Sequence, residues 1–371
     1  MTGPPTGVAL VVGSTGGEST GRGVEVVVIG AGQAGLATAH HLRRRGLGPD
    51  ELVVLDAGQG PGGAWRHRWP GLRLDLAHRV HDLPGLALRA EDPRRPAAEV
   101  VPAYFAAYER RFDLRVRRPV RVHAVRRADD GLVVAADVGT WTARRGVVNA
   151  TGTWTRPFRP YYPGLETFRG RQLHTVDYRE PDEFAGQHVV VVGGGHSAVQ
   201  LLAEVSLVTT TTWVTRREPV WRQGPLDEQA GRDAVARVER AVREGRPPGS
   251  VVGSTGLVLT PAVAAARDRG ALQRLPVPDR FTPTGLAWED GREVAADVVL
   301  WCTGFRAALG HLAPLGLREP GGGVRVDGTR AVREPRLHLV GYGPSASTLG
   351  ATRAGRDAAR ALVPTTGRAA A

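Results

Sequence analysis

The sequence predicts an α/β fold of two doubly wound units, the second inserted into the first. Two observations carry this. A pair of glycine-rich hexapeptides lies about 160 residues apart, each between an apolar strand and a helix. A later strand, glycine turn and helix near the carboxyl end is placed to return to the first sheet.

The first strand runs from Val24 to Ile29 and enters Gly30-Ala31-Gly32-Gln33-Ala34-Gly35, then an apolar helix through Leu42. In a dinucleotide turn of this spacing the first glycine permits the tight turn. The second admits a pyrophosphate to the backbone, and the third lets helix and strand pack closely. The anion then rests at the positive end of the helix. A second strand, Leu52-Val53-Val54-Leu55, ends at Asp56, 21 residues after Gly35. That is the offset at which a carboxylate meets a ribose hydroxyl. A purely structural glycine turn would account for the glycines alone, but not for strand, helix and acid together.

A helix is expected around residues 101–112, then short strands near 114–117, 120–126, 132–136 and 140–143. These form an antiparallel meander on a parallel sheet. A buried strand, Gly146-Val147-Val148-Asn149, runs into Ala150-Thr151-Gly152.

The second unit repeats the plan: Val189 to Val192, then Gly193-Gly194-Gly195-His196-Ser197-Ala198, with alanine tolerated at the last place. Further strands are expected at 210–215 and 296–302. An insertion over 223–275 carries a charged amphipathic helix near 227–244. Here the second strand ends Trp213-Val214-Thr215-Arg216-Arg217, with no carboxylate. A carboxylate would repel a ribose phosphate, whereas guanidinium binds one bidentately. This favours NADPH over NADH, the alternative being a solvated arginine pair in an arginine-rich chain. The expected division is a leader (1–22), a first part (23–184), the second unit (185–305), a return segment (306–362) and a tail (363–371).

Composition removes other classes. The net charge is +12 and all 49 basic residues are arginine. That skew matches GC-rich codon usage in a bacterium. The arginines are scattered without an aromatic-interleaved stripe, so nucleic acid is not an expected partner. No apolar run approaches membrane-spanning length, and the leader lacks a basic n-region, so a cytoplasmic protein is expected. Cys302 is the single cysteine. It allows no intramolecular disulfide and no dithiol relay. The adjacent His40 and His41 point to different helix faces, so no metal is expected.

Two further segments remain. Gly62-Gly63-Ala64-Trp65 follows Asp56 closely, where backbone and indole can meet a large planar ring; Trp65 as a plain core residue is the other reading. Phe168-Arg169-Gly170-Arg171-Gln172-Leu173-His174-Thr175-Val176-Asp177-Tyr178 fits FxGxxxHxxxY just before the second unit. With Ala150-Thr151-Gly152 and Cys302-Thr303-Gly304-Phe305, this ordered set resembles the flavin-containing monooxygenases over nearly all of residues 24–362.

The resemblance implies two Rossmann-like domains, FAD on the first turn and NADPH on the second, the NADPH domain inserted into the FAD domain. It implies a reaction in which NADPH reduces FAD, dioxygen adds, and a flavin hydroperoxide oxygenates a small substrate at the domain junction. The 223–275 insertion is placed to line that junction. Gly30, Gly32, Gly35, Asp56, Ala64 and Trp65 would contact FAD; Gly193, Gly195, Ser197, Ala198, Arg216 and Arg217 would contact NADPH. His174 and Asp75 are the candidate catalytic residues, with a hydrogen-bonded structural histidine as the other reading of His174.

Two residues pull the substrate class apart. Tyr178 stands where the Baeyer–Villiger branch has tryptophan, which favours N or S oxygenation. Asp75 stands where N-oxygenating members have asparagine, which favours ketones. Asp56 is also shorter than that family's usual glutamate. The rival functions are an NADPH-dependent flavin reductase serving a partner protein or quinone, and a non-catalytic dinucleotide-binding protein. Disulfide reductases share the two-turn plan, but Cys302 alone cannot form their dithiol. A homodimer is compatible with all of these.

Overall fold

The computed structural model describes residues 21–77, 80–222, 228–249 and 256–364. Residues 1–20 of the expected leader, the tail from 365, and 223–227 and 250–255 of the insertion lie outside the described residues.

The first unit begins with β1 (Arg22–Ile29), α1 (Gln33–Arg44) and β2 (Leu52–Leu55), the predicted strand–turn–helix–strand. The next helix, α2, spans Ala97–Arg111. The meander follows as β3 (Val122–Ala128), β4 (Gly131–Ala136) and β5 (Gly139–Asn149). The strands expected at 140–143 and 146–149 are one. The first half of β5 pairs antiparallel with β4 and parallel with β1, and after a register shift the pairing with β1 continues from Val26↔Gly146 to Ile29↔Asn149. Residues 114–117 form no strand; only a bridge between Leu55 and Arg117 occurs there.

The second unit contains β6 (Arg171–His174), β7 (Val189–Val192), α3 (His196–Val205) and β8 (Thr211–Val214). The insertion adds β9 (Trp221–Arg222), α4 (Glu228–Arg243), β10 (Leu257–Val258), α5 (Pro261–Asp268) and β11 (Arg274–Leu275). A small antiparallel sheet follows, β12 (Arg280–Thr282), β13 (Gly285–Ala287) and β14 (Glu293–Ala295), and then β15 (Val298–Trp301). The main sheet has the order β11-β8-β7-β15-β6, parallel throughout. Because β6 pairs with β15, the chain enters this sheet by residue 171. The boundary expected at 184 is therefore too late, and the crossover is the proline-rich stretch after Asn149.

The chain returns through β16 (Val326–Asp327), β17 (Arg330–Ala331), β18 (Glu334–Leu339) and α6 (Thr348–Leu362). β18 pairs parallel with β5, completing the order β16-β17-β18-β5-β1-β2. α6 packs on α1, where an added Cβ on Gly355 would lie 2.8 Å from the Thr38 hydroxyl. The second unit is thus inserted between β5 and β18. No helix among the described residues is long and apolar enough to cross a membrane.

Candidate functional site

Parallel sheets bind ligands beyond the carboxyl ends of their strands, and here both sheets aim those ends at one space. A continuous cavity of about 2450 Å³ receives Ile29–Gly30 from β1, Ala150 after β5, Val192–Gly193 from β7, Cys302 after β15 and Val340 after β18. Its wall carries seven arginines and three carboxylates, a balance suited to anionic ligands.

The two glycine turns are built alike. Gly30 has φ +100° and Gly193 φ +145°, a region open to glycine, and a side chain on either would strike the carbonyl of Ala150 or Cys302. Gly35 is packed against the Gly30 carbonyl, so it serves helix–strand contact and does not line the cavity. Gly32 and Gly195 differ. They are the N-caps of α1 and α3, with ordinary negative φ and no side-chain cap, and an added Cβ would meet nothing within 4 Å. Among the described residues nothing crowds a side chain at those two places, and both open helix ends face the cavity.

Around the first turn, Asp56 accepts from the Ala31 N–H at 2.7 Å and the Gly58 N–H at 2.9 Å. Arg118 donates to it at 3.3 Å while holding Glu109 with two bonds of 2.7 Å. The carboxylate is thereby fixed at the cavity edge, which it lines together with Ala64 and Trp65.

Around the second turn, Gly193, Gly195, Ser197 and Arg216 line the cavity. Ala198 is fully buried in the α3 core and Arg217 is exposed away from the wall. The expected arginine pair is therefore split, with Arg216 alone at the cavity. Sequence reasoning missed Arg274, whose Nε donates to the Thr215 hydroxyl at 2.8 Å and whose guanidinium also binds Glu218. It pins the loop that carries Arg216.

Neither candidate catalytic residue presents a free acid or base to the cavity, and His174 fits the reading of a hydrogen-bonded structural histidine. His174 is fully buried and lies off the cavity wall. Its Nε2–H donates to the Gly304 carbonyl at 3.0 Å, its Nδ1 faces the Val176 N–H, and Phe305 packs edge-on against it. Burial holds its pKa below the usual histidine range. It is a bracket for the turn after β15. Asp75 does reach the wall, but Arg73 grips its carboxylate, with Nε at 3.0 Å, and holds it below the usual carboxylate range. A carboxylate so paired is no proton donor near neutrality.

The other motif residues are structural too. Phe168 is in the core, Gly170 sits against the Asp297 carbonyl, and fully buried Tyr178 donates to Glu204 at 2.8 Å. Glu204 also accepts from the Trp69 indole at 2.9 Å, tying α3 to the loop after Trp65. Burial raises its pKa. Tyr178 is therefore a packing residue that does not reach the cavity.

Aromatic groups supplied by separate elements complete the wall. Trp154 stacks on Phe305 at 5.1 Å between centroids and on His67 at 6.3 Å. His311 donates to the Asn149 carboxamide at 2.7 Å, and burial lowers its pKa to about 4. Neither Trp154 nor His311 has a local sequence signal, since each reaches the site through tertiary convergence. Cys302 is a buried free thiol that burial pushes up to about 12, which keeps it protonated near neutrality. The insertion contributes Arg232, Val235, Ala236 and Glu239 from α4 to the wall.

Comparison with known proteins bears directly on this arrangement. Residues 27–245 match the pyridine nucleotide-disulphide oxidoreductase family. A flavin-containing monooxygenase from Stenotrophomonas maltophilia is 43% identical, covering 92% of this chain and 98% of its own, with a TM-score of 0.78. The chain belongs to the flavin-containing monooxygenases. Members of this family are flavin-dependent oxidoreductases that use FAD and NADPH. A Baeyer–Villiger monooxygenase from Streptomyces coelicolor is 31% identical over 230 residues, 60% of this chain and 43% of that protein. An uncharacterized CzcO-like oxidoreductase from Geobacillus kaustophilus is 30% identical over 183 residues, 49% and 51% of the two chains. These matches span about half the length of the curated relatives.

Proposed function

We propose that the chain is an NADPH-dependent FAD monooxygenase that oxygenates a small organic substrate, with a sulfur or nitrogen centre as the favoured class. The observation that carries this is the pair of open glycine N-caps, Gly32 and Gly195, facing one cavity from two sheets. Two dinucleotides in one cavity are the arrangement for electron transfer between them, and 43% identity to a flavin-containing monooxygenase supports oxygen as the acceptor.

In this reading, FAD lies along Gly30–Gly32 with its pyrophosphate at the α1 N-terminus and its ribose on Asp56. Ala64 and Trp65 flank its ring. NADPH lies along Gly193–Gly195 and Ser197, with Arg216 on the ribose phosphate. Bound FAD supplies electron uptake from NADPH and activation of dioxygen. The protein positions the two, and buried aromatic groups exclude water from the space between them. His174 braces the turn after β15 from behind the wall, and Tyr178, through Glu204 and Trp69, ties the second unit to the first. Tyr178 supports the heteroatom class as the residue standing where the ketone-oxygenating branch has tryptophan.

The test uses FAD-loaded protein, NADPH, ¹⁸O₂ and methyl phenyl sulfide. One labelled oxygen in the sulfoxide, in step with NADPH consumption, is the expected result. NADPH oxidation that delivers all its oxygen as labelled hydrogen peroxide overturns the proposal in favour of a reductase.

A further inference from the structure

The cavity wall contains a cation for which the described residues supply no counter-ion. Arg68 follows the turn that carries Trp65, and its N–H donates to the Trp65 carbonyl at 3.1 Å. Its guanidinium lies 4.5 Å over the Trp154 ring and 5.6 Å from that of Trp65. Its Nε is sealed from solvent without a hydrogen-bond partner, and the side chain borders the cavity.

The nearby arginines are handled differently. Arg118, also largely buried, holds both Glu109 and Asp56. Arg73 holds Asp75. A guanidinium withdrawn from water without an anion is costly, and indole faces repay only part of that cost. Burial drives its pKa down to about 10, still far above neutrality, so the charge stays. The dinucleotide phosphates have donors of their own at the two glycine turns and at Arg216. Arg68 is left for a different anion.

We propose that Arg68, Trp65 and Trp154 form a carboxylate-binding subsite. Its ligand is a planar organic acid whose carboxylate meets the terminal nitrogens of Arg68 and whose apolar body lies along the indoles. Charge-assisted contact fixes the acid end, while aromatic burial supplies area. The substrate oxygenated in this cavity is then an organic acid carrying its reactive atom away from the carboxylate. This rests on the flavin reading of the cavity, because the bound flavin reports on occupancy.

Phenylacetate and phenylacetamide, alike in shape and different in charge, are titrated into FAD-loaded protein. Flavin absorbance and tryptophan fluorescence are followed. The acid is expected to bind at least about 10-fold tighter than the amide. Arg68→Gln should erase that difference, Arg68→Lys should keep part of it, and NADP⁺ affinity should not change. Equal binding of acid and amide to the wild type overturns the subsite. So does an acid preference that survives in Arg68→Gln, or a Gln variant that loses NADP⁺ affinity in place of acid affinity. Should Arg68→Gln fail to fold, the wild-type comparison and Arg68→Lys decide. Failure here, with ¹⁸O still entering methyl phenyl sulfide, removes the subsite alone; failure to retain FAD removes the wider reading.

Discussion

The two glycine turns share a backbone and differ in what stands beside them. Next to Gly30–Gly32 is a carboxylate, Asp56, held by the Ala31 and Gly58 amides and by Arg118. Next to Gly193–Gly195 is Thr215, its hydroxyl bound by Arg274, with Arg216 free to reach the cavity. A carboxylate suits a bare ribose diol, whereas a guanidinium suits a phosphorylated one. The lesson is that the turn selects a dinucleotide and the end of the next strand selects which one.

The largest expected effect tests the shared backbone. Gly35→Val drives a side chain into the Gly30 carbonyl and should abolish FAD retention, read as loss of yellow colour on gel filtration. Gly195→Ala adds a methyl group in open space, so the fold and FAD content should survive while NADPH binding weakens several-fold. Equal damage from both would break the distinction between packing glycines and ligand glycines.

Next in size is the split arginine pair. Arg216→Ala should lower the NADPH-over-NADH preference by roughly 10- to 100-fold, in line with charge-assisted hydrogen bonds. Arg217→Ala, away from the wall, should change it less than about twofold. Steady-state kcat/KM with each nucleotide checks both. A dominant Arg217 would reverse the assignment.

A separate test, on stability, uses pH. Burial lowers His311 and His338, both in the return segment of the first unit, to about 4. Groups with a depressed folded pKa favour the native state above about 6.5 and penalise it as pH falls from there toward 4. Each adds up to about 1.4 kcal/mol of lost stability per pH unit in that window. Urea midpoints between pH 7 and 4.5 should fall, and His338→Gln should make the decline shallower. An unchanged slope would contradict neutral burial of His338.

Much of the fold was legible because it is written locally. Apolar strands, glycine turns and an acid at a fixed offset all lie within short windows, so β1, α1, β2, β7 and α3 stand where their residues predict. The strand β5 was not legible as one element. Arg144 and Arg145 interrupt its apolar run at the register shift in the β1–β5 pairing, where both turn outward to bind Glu25, while Gly146 onward is buried beside β1. The 184 boundary failed for a related reason: β6 is only four residues long, and its partner β15 follows more than 120 residues later. Of the residues the sequence singled out, Gly30, Gly32, Asp56, Trp65, Gly193 and Gly195 line the cavity. Glu204, His311, Trp154 and Arg68 were not legible, since their roles arise from convergence of distant elements. For His174 the sequence left a structural and a catalytic reading open, because spacing alone does not separate a hydrogen-bonded bracket from an acid or base; its bonds to Gly304 and Val176 favour the first.

The contrast between the two turns is tested most directly by titrating FAD-loaded protein with 2′,5′-ADP and with 5′-ADP, nucleotides that share every group except the ribose phosphate position. Calorimetry should show 2′,5′-ADP binding at least about 10-fold tighter, competing with NADPH and losing its advantage in Arg216→Ala. Equal affinity for the two nucleotides, or an advantage untouched by Arg216→Ala, would contradict the assignment of the second turn to NADPH.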